Sequence, residues 1–247
     1  MAKKILSVIT ARAGSKGIIN KNTKILAGKP LFLWSVLASQ QSEYINLTIV
    51  SSNCSIVKEE LEKYNNFVSD AFDFAPVFKN QAIFLQRPEE ISGDLSKNEE
   101  ALIHAYEYCK NELDFDADII VNLQPTSPIR NKKLIDACIK KFINDKADSL
   151  FTGSKHTPFF FRIKNKKVIA DWDIFNRPMR QKIKEFLWHD DGSVYIMKKE
   201  LLLNTNCRLG GKMSIFETDK YQSLQIDTIE DFNIIDKLVE SGVTTLL

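Results

Sequence analysis

The sequence predicts a doubly wound α/β domain, in which helices cover both faces of a mainly parallel sheet. Strand-like and helix-like segments alternate from residue 5 to residue 145, and short connections join most of them. No internal repeat and no low-complexity linker interrupts this alternation. The chain has 247 residues and 44% hydrophobic content, which is enough for one ordinary core of this class. We therefore expect a single domain over residues 1–247.

The first half of the chain supplies the alternating elements. Short apolar runs predict buried strands, and apolar residues at helical spacing predict helices. The long stretch 65–97 has little periodicity, which indicates either a functional loop or an element that the pattern does not identify. In chain order, the predicted elements are the strand 5–10, the helix 28–41, the strand 47–52, the helices 55–64 and 98–112, the strand 117–124 and the helix 132–145.

The second half is less regular and richer in strand-like segments. Strand composition recurs at residues 148–153, 192–199 and 213–217. The run "IKNKKV" lies between aromatic and β-branched residues, which predicts a hairpin. We expect this hairpin to belong to an inserted flap or dimerisation extension at about residues 155–190. A last helix is expected after Thr228, a good N-cap residue, with Asp231 in its first turn.

Composition and charge argue against several classes of protein. The formal net charge is +2 and the basic residues are evenly spread, so we expect no nucleic-acid partner. The four cysteines lie far apart, which fits neither a zinc cluster nor a disulfide framework. The apolar run before Arg12 is too short for a signal-peptide core, and no stretch approaches the roughly 20 residues of a membrane span. We therefore expect a cytoplasmic protein without a membrane segment.

A cationic loop with two glycines follows the first predicted strand. In "SVITARAGSKGIINKN", residues 7–22, Gly14 and Gly17 let backbone N–H groups approach an anion, and Arg12 and Lys16 add charged donors. Ligands of open parallel sheets bind at the carboxyl ends of strands, so a nucleoside triphosphate is the favoured anion. The spacing matches neither the P-loop nor the G-x-G-x-x-G fingerprint. The alternative is a surface turn with solvated lysines.

Five sequence blocks occur in order over residues 5–235: "ARAGSKGIINKNTKILAGKPL", "LQRPEEISGDLS", "LQPTSPIR", "DGSVYI" and "IDTIEDF". Together they resemble the cytidylyltransferases that activate acidic sugars as CMP-sugars, the CMP-N-acylneuraminate synthetase family. The resemblance implies a Rossmann-like, three-layer fold with a β-hairpin extension that joins a homodimer. It also implies CTP and an acidic nonulosonic sugar as substrates, CMP-sugar and pyrophosphate as products, and Mg²⁺ as cofactor.

The resemblance assigns one group of residues to the nucleotide. Lys16, with Arg12, would stabilise charge at the α-phosphate as pyrophosphate leaves, because phosphoryl-type transfer depends mainly on positioning and electrostatics. An Asn amide can donate and accept, as a cytosine edge requires. For Arg87 the alternative is a surface residue before Pro88. The predicted nucleotide-binding residues are Arg12, Gly14, Ser15, Lys16, Asn22, Arg87 and Gln124.

A second group is assigned to the acceptor side. Arg130 has a planar fork that suits a sugar carboxylate or a phosphate. Tyr195 matches an aromatic position near the acceptor, although a strand aromatic in the core explains it equally well. The predicted substrate-binding residues are Gln124, Ser127, Arg130, Arg180, Gln181 and Tyr195.

The predicted metal site departs from the family pattern. Many members have D-x-D before the final helix, whereas this chain has Gln225, Ile226 and Asp227. The resemblance makes Asp227 a catalytic metal ligand, and a Gln carbonyl or a water could complete the shell because Mg²⁺ takes one or two carboxylates plus phosphates and water. We expect Mg²⁺ to bind weakly until CTP supplies oxygens. The alternative is that Asp227 caps the last helix.

Other departures concern the acceptor. Asp191, Gly192 and Ser193 replace the usual N-G-A, which suggests a carboxylate beside the acceptor, and the apolar run 159–161 stands where a basic or polar residue is common. Two other functions therefore stay open. One is a nucleotidyltransferase of the same fold for a different acceptor, such as a Kdo-like sugar or another small acid or alcohol. The other is a catalytically silent nucleotide-binding subunit.

Overall fold

The computed structural model describes residues 3–71 and 82–246. Its strands are β1 (Ile5–Thr10), β2 (Ile25–Leu26), β3 (Lys29–Pro30), β4 (Leu47–Ser52), β5 (Ala82–Gln86), β6 (Ile119–Leu123), β7 (Ser149–His156), β8 (Phe161–Lys164), β9 (Lys167–Ala170), β10 (Leu187–Lys198) and β11 (Met213–Glu217). Its α-helices are α1 (Leu31–Gln41), α2 (Ser55–Ala71), α3 (Asn98–Glu112), α4 (Lys132–Asn144), α5 (Lys199–Thr205) and α6 (Ile229–Glu240).

A seven-stranded sheet in the order β11-β7-β10-β6-β1-β4-β5 forms the centre of the fold. Every neighbouring pair is parallel except the two pairs that β10 makes, which are antiparallel. The predicted mainly parallel α/β architecture is therefore confirmed. The carboxyl ends of β1, β4 and β6 meet at one edge, which is the edge where open α/β sheets bind ligands.

Helices cover both faces of the sheet, because the central strands are apolar on both sides. In β1, Ile5 and Ile9 pack on the side of α1, α2 and α4, whereas Leu6 and Val8 pack on the side of α3 and α5. Helix α6 packs outside α1 through a third apolar cluster that includes Phe232. These layers fix the strand ends on which the site is built.

The stretch 65–97 contains more regular structure than the sequence pattern predicts. Helix α2 continues to Ala71, and β5 adds a parallel edge strand beside β4. Residues 72–81 lie outside the described part of the chain. The five-residue run of β5 is too short for its period to distinguish it from a loop, and its pairing with β4 decides the conformation. The loop that remains, residues 87–97, reaches the ligand-binding edge.

The predicted hairpin "IKNKKV" is confirmed. Strands β8 and β9 pair antiparallel, and both turn residues, Asn165 and Lys166, have positive φ (52° and 62°), as two-residue hairpin turns require. The surrounding extension exposes large apolar side chains, among them Phe175 at 94% and Ile163 at 79%. Its role as a flap or subunit contact, and the single-domain boundary of 1–247, stay predictions.

Two further expectations concern cysteines and membranes. The four cysteines are unpaired within the described chain, with Cys109 and Cys138 buried, Cys54 partly buried and Cys207 exposed. No helix in residues 3–71 or 82–246 is long and apolar enough to cross a membrane.

Candidate active site

A polar cavity of about 320 Å³ opens at the carboxyl ends of β1 and β6. Three segments form its walls: the loop after β1, the turn after β6, and the segment before α6. Eleven residues line it: Thr10, Arg12, Ser15, Lys16, Lys21, Asn22, Gln124, Pro125, Thr126, Gln225 and Asp227. Five of the seven predicted nucleotide-binding residues therefore line the cavity, Gly14 lies beside it in the same loop, and Arg87 is not among its lining residues.

The loop after β1 is held by backbone contacts and by a close approach. The N–H of Ala13 donates to Asn53 Oδ1 at 2.8 Å, and Gly14 has φ of 75°, a conformation that favours glycine. At Gly17 a β-carbon would lie 2.2 Å from the carbonyl oxygen of Asp227. Only a residue without a side chain lets the loop reach the segment before α6.

Asn22 is buried and stabilises this loop through a hydrogen bond to its backbone. It is 8% exposed, and its Nδ2 donates to the carbonyl of Arg12 at 2.8 Å. Its side chain also lines the cavity, so the amide oxygen remains to meet a ligand. Its contact with a cytosine edge stays a prediction.

The two charged donors of the loop after β1, Arg12 and Lys16, both form an ion pair with the same carboxylate. Arg12 lies 3.0 Å and Lys16 lies 2.8 Å from the oxygens of Asp94, which belongs to the loop 87–97. Both cations hold the pKa of the Asp94 carboxyl below its usual range, first through their hydrogen bonds. The sequence reasoning missed Asp94, because the contact joins segments about 80 residues apart.

Arg87 lies behind Arg12 rather than at the surface. It is 4% exposed, and it donates from Nε to Ser51 Oγ at 3.1 Å and from Nη2 to the Ser51 carbonyl at 2.8 Å. Burial, and then the charge of Arg12, lower its pKa to about 10. The alternative of a surface residue is therefore wrong. Arg87 contributes positive charge beneath the cavity without being one of its lining residues.

Lys21 is a cavity residue that the predicted site set omitted. Its Nζ donates to the carbonyl of Ile226 at 2.8 Å and lies 3.4 Å from Asp227 Oδ1, and its side chain is only 12% exposed. It therefore ties the loop after β1 to the segment before α6. The signal that could have identified it is its place beside Asn22 in the same cationic stretch.

Asp227 points into the cavity mouth and does not cap α6. Its side chain is 71% exposed, whereas Thr228 is the N-cap and forms a reciprocal capping box with Asp231. The helix-cap alternative is therefore wrong. Gln225 donates from Nε2 to the carbonyl of Asp190 at 3.2 Å, which leaves its Oε1 as a hard oxygen at the cavity.

These residues fit a magnesium site that depends on substrate. Nowhere in the described residues do three His, Cys, Asp or Glu side chains converge on a metal position. One exposed carboxylate and one amide oxygen are a small ligand set, and the Lys21 ammonium near Asp227 opposes a bare cation. Phosphate oxygens would have to complete the shell.

Three of the predicted acceptor residues are buried in internal contacts. The Ser127 hydroxyl is fully buried and donates to the carbonyl of Asp191. Arg130 is 2% exposed and donates to the Ser193 carbonyl and to Ser35 Oγ, and burial lowers its pKa to about 9. The Ser127 hydroxyl and both terminal nitrogens of Arg130 therefore donate to groups inside the protein. Neither residue lines the cavity among the described residues, and their assignment to substrate stays a prediction.

Tyr195 is the strand aromatic of the core. It is 2% exposed, its hydroxyl donates to Asp190 at 2.8 Å, and the Arg208 guanidinium lies 4.2 Å from its ring centre. Burial raises the pKa of its phenol. The core alternative therefore describes its contacts in this structure, and its contact with the acceptor sugar stays a prediction.

Residues 191–193, which differ from the usual N-G-A of the family pattern, make contacts inside the protein. Asp191 is fully buried and accepts hydrogen bonds from the hydroxyls of Thr152 and Thr218. It does not face an acceptor, contrary to our expectation. Gly192 has φ of 65°, and a β-carbon there would lie 2.7 Å from Gln124 Oε1, so this bulge of β10 presses against a cavity residue.

Arg180 and Gln181 lie on an exposed 3₁₀ turn of the extension, Arg180–Lys182. Neither lines the cavity within the described chain. Their predicted contact with the acceptor sugar stays a prediction that needs a second subunit or movement of the extension.

Comparisons with known proteins agree with this geometry. A family model described as cytidylyltransferase matches residues 6–69, which contain all of β1 but its first residue, the cationic loop and α1. The chain is 28% identical to an N-acylneuraminate cytidylyltransferase of Escherichia coli over 95% of this chain. The chain is therefore similar to proteins named as cytidylyltransferases. It is also 25% identical to a CMP-N,N'-diacetyllegionaminic acid synthase of Legionella pneumophila, over 99% of this chain and 100% of that relative.

The match in length differs among the cytidylyltransferase relatives. The chain spans about half of the E. coli relative, 52% of its length. Among solved structures, a CMP:2-keto-3-deoxy-manno-octonic acid synthetase complexed with CTP has a TM-score of 0.65, covers 97% of this chain and 99% of its own, and is 15% identical. That likeness supports the three-layer fold alone. The family resemblance seen in the five sequence blocks is confirmed.

Proposed function

We propose that this protein is a cytidylyltransferase that moves CMP from CTP onto an acidic nonulosonic sugar and releases pyrophosphate. The observation that carries the proposal is the cavity, in which the cations Arg12, Lys16 and Lys21 face the carboxyl ends of β1 and β6. Relatives named for N-acylneuraminate and for diacetyllegionaminic acid support an acceptor of this sugar class.

The reaction requires the protein to position the two substrates and to stabilise negative charge. A hydroxyl oxygen of the sugar attacks the α-phosphorus, the bond from that phosphorus to the bridging oxygen breaks, and the hydroxyl proton leaves with solvent or a base. Negative charge grows on the departing pyrophosphate, and Lys16 and Arg12 are the donors best placed to stabilise it. Lys16 is the more exposed of the two, with 78% of its side chain exposed against 33% for Arg12.

Nucleotide recognition involves Asn22 and Gln124. Both line the cavity, and both amides offer a donor and an acceptor to a base edge. Arg87 adds buried positive charge behind Arg12, so the binding of a polyanion relieves the repulsion between these two guanidinium groups. We infer CTP as the nucleotide.

Mg²⁺ belongs to the same proposal, held by Asp227 with Gln225 and the phosphates of CTP. When bound, the ion neutralises phosphate charge and helps pyrophosphate to leave. Lys21 then serves a second purpose: it orients the Asp227 carboxylate at the cavity mouth.

We also propose a homodimer and a cytoplasmic location. The extension exposes a group of apolar side chains that a second subunit would cover: Phe160, Phe161, Ile163, Val168, Phe175 and Met179. Such a contact would bring Arg180 and Gln181 of one subunit towards a partner. Light scattering in solution tests the dimer.

A panel of acceptors tests the function and separates the alternatives. Pyrophosphate release from CTP is measured with N-acetylneuraminate, a diacetylated nonulosonic acid, Kdo and a sugar without a carboxylate. Release with nonulosonic acids supports the proposal, and release only with Kdo or another acceptor supports a same-fold transferase of different specificity. Binding of CTP without any release identifies a silent nucleotide-binding subunit.

A further inference from the structure

Asp94 joins the two cations of the loop after β1. Its carboxylate lies 3.0 Å from the Arg12 guanidinium and 2.8 Å from Lys16 Nζ. Arg12 also donates to the carbonyl of Ser92, in the same loop as Asp94, at 3.4 Å. One carboxylate of the chain therefore engages both charged donors that the proposed function assigns to the triphosphate.

Asp94 stands on an exposed tip, whereas the base of its loop is fixed. Its side chain is 41% exposed, and the neighbouring Leu95 is 99% exposed. The loop base is held by buried Arg87, which donates twice to Ser51. Because exposed ion pairs contribute little to stability, Asp94 can leave the two cations while the core stays intact.

The charges around Asp94 favour an exchange with a polyphosphate. Arg12 lies close enough to buried Arg87 to lower its pKa, and Asp94 offsets the positive charge of Arg12 and Lys16. A triphosphate brings more negative charge and more acceptor oxygens than one carboxylate, so it competes well for the same donors. A single phosphate group gains much less from displacing Asp94.

We propose that Asp94 is a tethered anion that occupies the triphosphate subsite of the free enzyme and is displaced by the nucleotide. The inference rests on the proposed function and deepens it. Asp94 thereby acts as a specificity-determining residue. It pairs with Arg12 and Lys16, and it weakens the binding of anions that have a single phosphate group.

Calorimetric binding of inorganic tripolyphosphate and of inorganic phosphate, both without Mg²⁺, tests this role. Asp94→Asn should bind inorganic phosphate about tenfold more tightly than the unaltered protein but tripolyphosphate only about threefold more tightly, because a single phosphate group compensates less for breaking two exposed ion pairs. An equal gain for the two anions would overturn the specificity role. Asp94→Ser should give the same change, so a folding defect in one variant does not decide the result.

Asp116→Asn is the matched control. Asp116 is also exposed and paired with a lysine, Lys199, at 2.6 Å, and it precedes β6 at the opposite edge of the sheet. Asp116→Asn changes the net charge by the same amount as Asp94→Asn. Its affinities for phosphate and tripolyphosphate should equal those of the unaltered protein. An equal gain in both aspartate variants would overturn the proposal, because general electrostatics would then explain it.

The proposal and the function on which it rests fail in different ways. If the unaltered protein binds tripolyphosphate and turns over CTP while Asp94→Asn shows unchanged or weaker binding, only the role of Asp94 is overturned. If the unaltered protein binds neither tripolyphosphate nor CTP, the proposed function fails and the tethered-anion proposal fails with it.

Discussion

Gly17 touches the backbone of Asp227 so closely that a β-carbon at Gly17 would lie 2.2 Å from the Asp227 carbonyl oxygen. Beside this contact, Lys21 donates to the carbonyl of Ile226. The loop that carries the cations and the segment that carries the candidate metal ligand are therefore one packed unit. The relative positions of the candidate phosphate-binding loop and the candidate metal ligand therefore depend on this junction.

Gly17→Ala should separate the two segments, since a backbone atom cannot yield as a flexible side chain can. We expect a loss of about 1–3 kcal/mol in the free energy of unfolding, the usual range for overpacking, together with lower turnover. Denaturant unfolding measures the loss. Gly93→Ala is the control, because its β-carbon would lie an ordinary 3.6 Å from Ser96 Oγ. Equal stability of the two variants would contradict the close packing.

Lys16→Ala should lower turnover by about 100-fold or more, the usual scale for losing one donor to a developing charge. The fold should be unchanged, because 78% of the side chain is exposed. Steady-state kinetics with CTP measures the effect, and Lys164→Ala in the exposed hairpin is the control. A near-normal rate for Lys16→Ala would show that the α-phosphate lies elsewhere.

Asp227→Asn should nearly abolish turnover, and Gln225→Asp should lower the Mg²⁺ concentration needed for half-maximal activity. Both expectations follow from the cavity, where Asp227 is the exposed carboxylate and Gln225 offers only an amide oxygen. Activity across a Mg²⁺ titration measures them. If neither variant altered the metal requirement, Asp227 would serve only to pair with Lys21.

Asp231→Asn should weaken the N-cap of α6 in a pH-dependent way. Hydrogen bonds from Thr228 and Asp227 hold the pKa of the Asp231 carboxyl below its usual range. A lowered pKa stabilises the fold above the unfolded value, near 4, and this contribution is lost as the pH falls through the folded value. At pH 7 the variant should lose about 0.5–1 kcal/mol in the free energy of unfolding. A difference that stayed constant down to pH 2 would exclude the charged cap.

The sequence predicted where the cavity lies because ligands of open parallel sheets bind at the carboxyl ends of strands. The strand Ile5–Thr10 and the glycines after it are visible in the sequence, and the parallel order places that loop at the carboxyl edge. Side-chain direction is not visible in the same way. One short turn sends Gln124 into the cavity and Arg130 into the core.

Other features depend on contacts distant in sequence. β5 forms because it pairs with β4, and its five residues carry too little periodicity to predict it. Asp94 meets Arg12 and Lys16 across about 80 residues, so only the folded chain shows that pair. Asp191 looked like an acceptor contact because its block matches the family, whereas two threonine hydroxyls bury it.

Pyrophosphate release with paired nucleotides tests the central claim most directly. The protein is incubated with Mg²⁺ and a nonulosonic acid, with CTP in one reaction and UTP in the other, and the CMP-sugar is identified by mass. We predict release that requires the sugar and favours CTP by about 10⁴, because a site that hydrogen-bonds one base edge leaves buried partners unpaired with another. Equal release with UTP, or release from CTP that is independent of the sugar, would contradict the account.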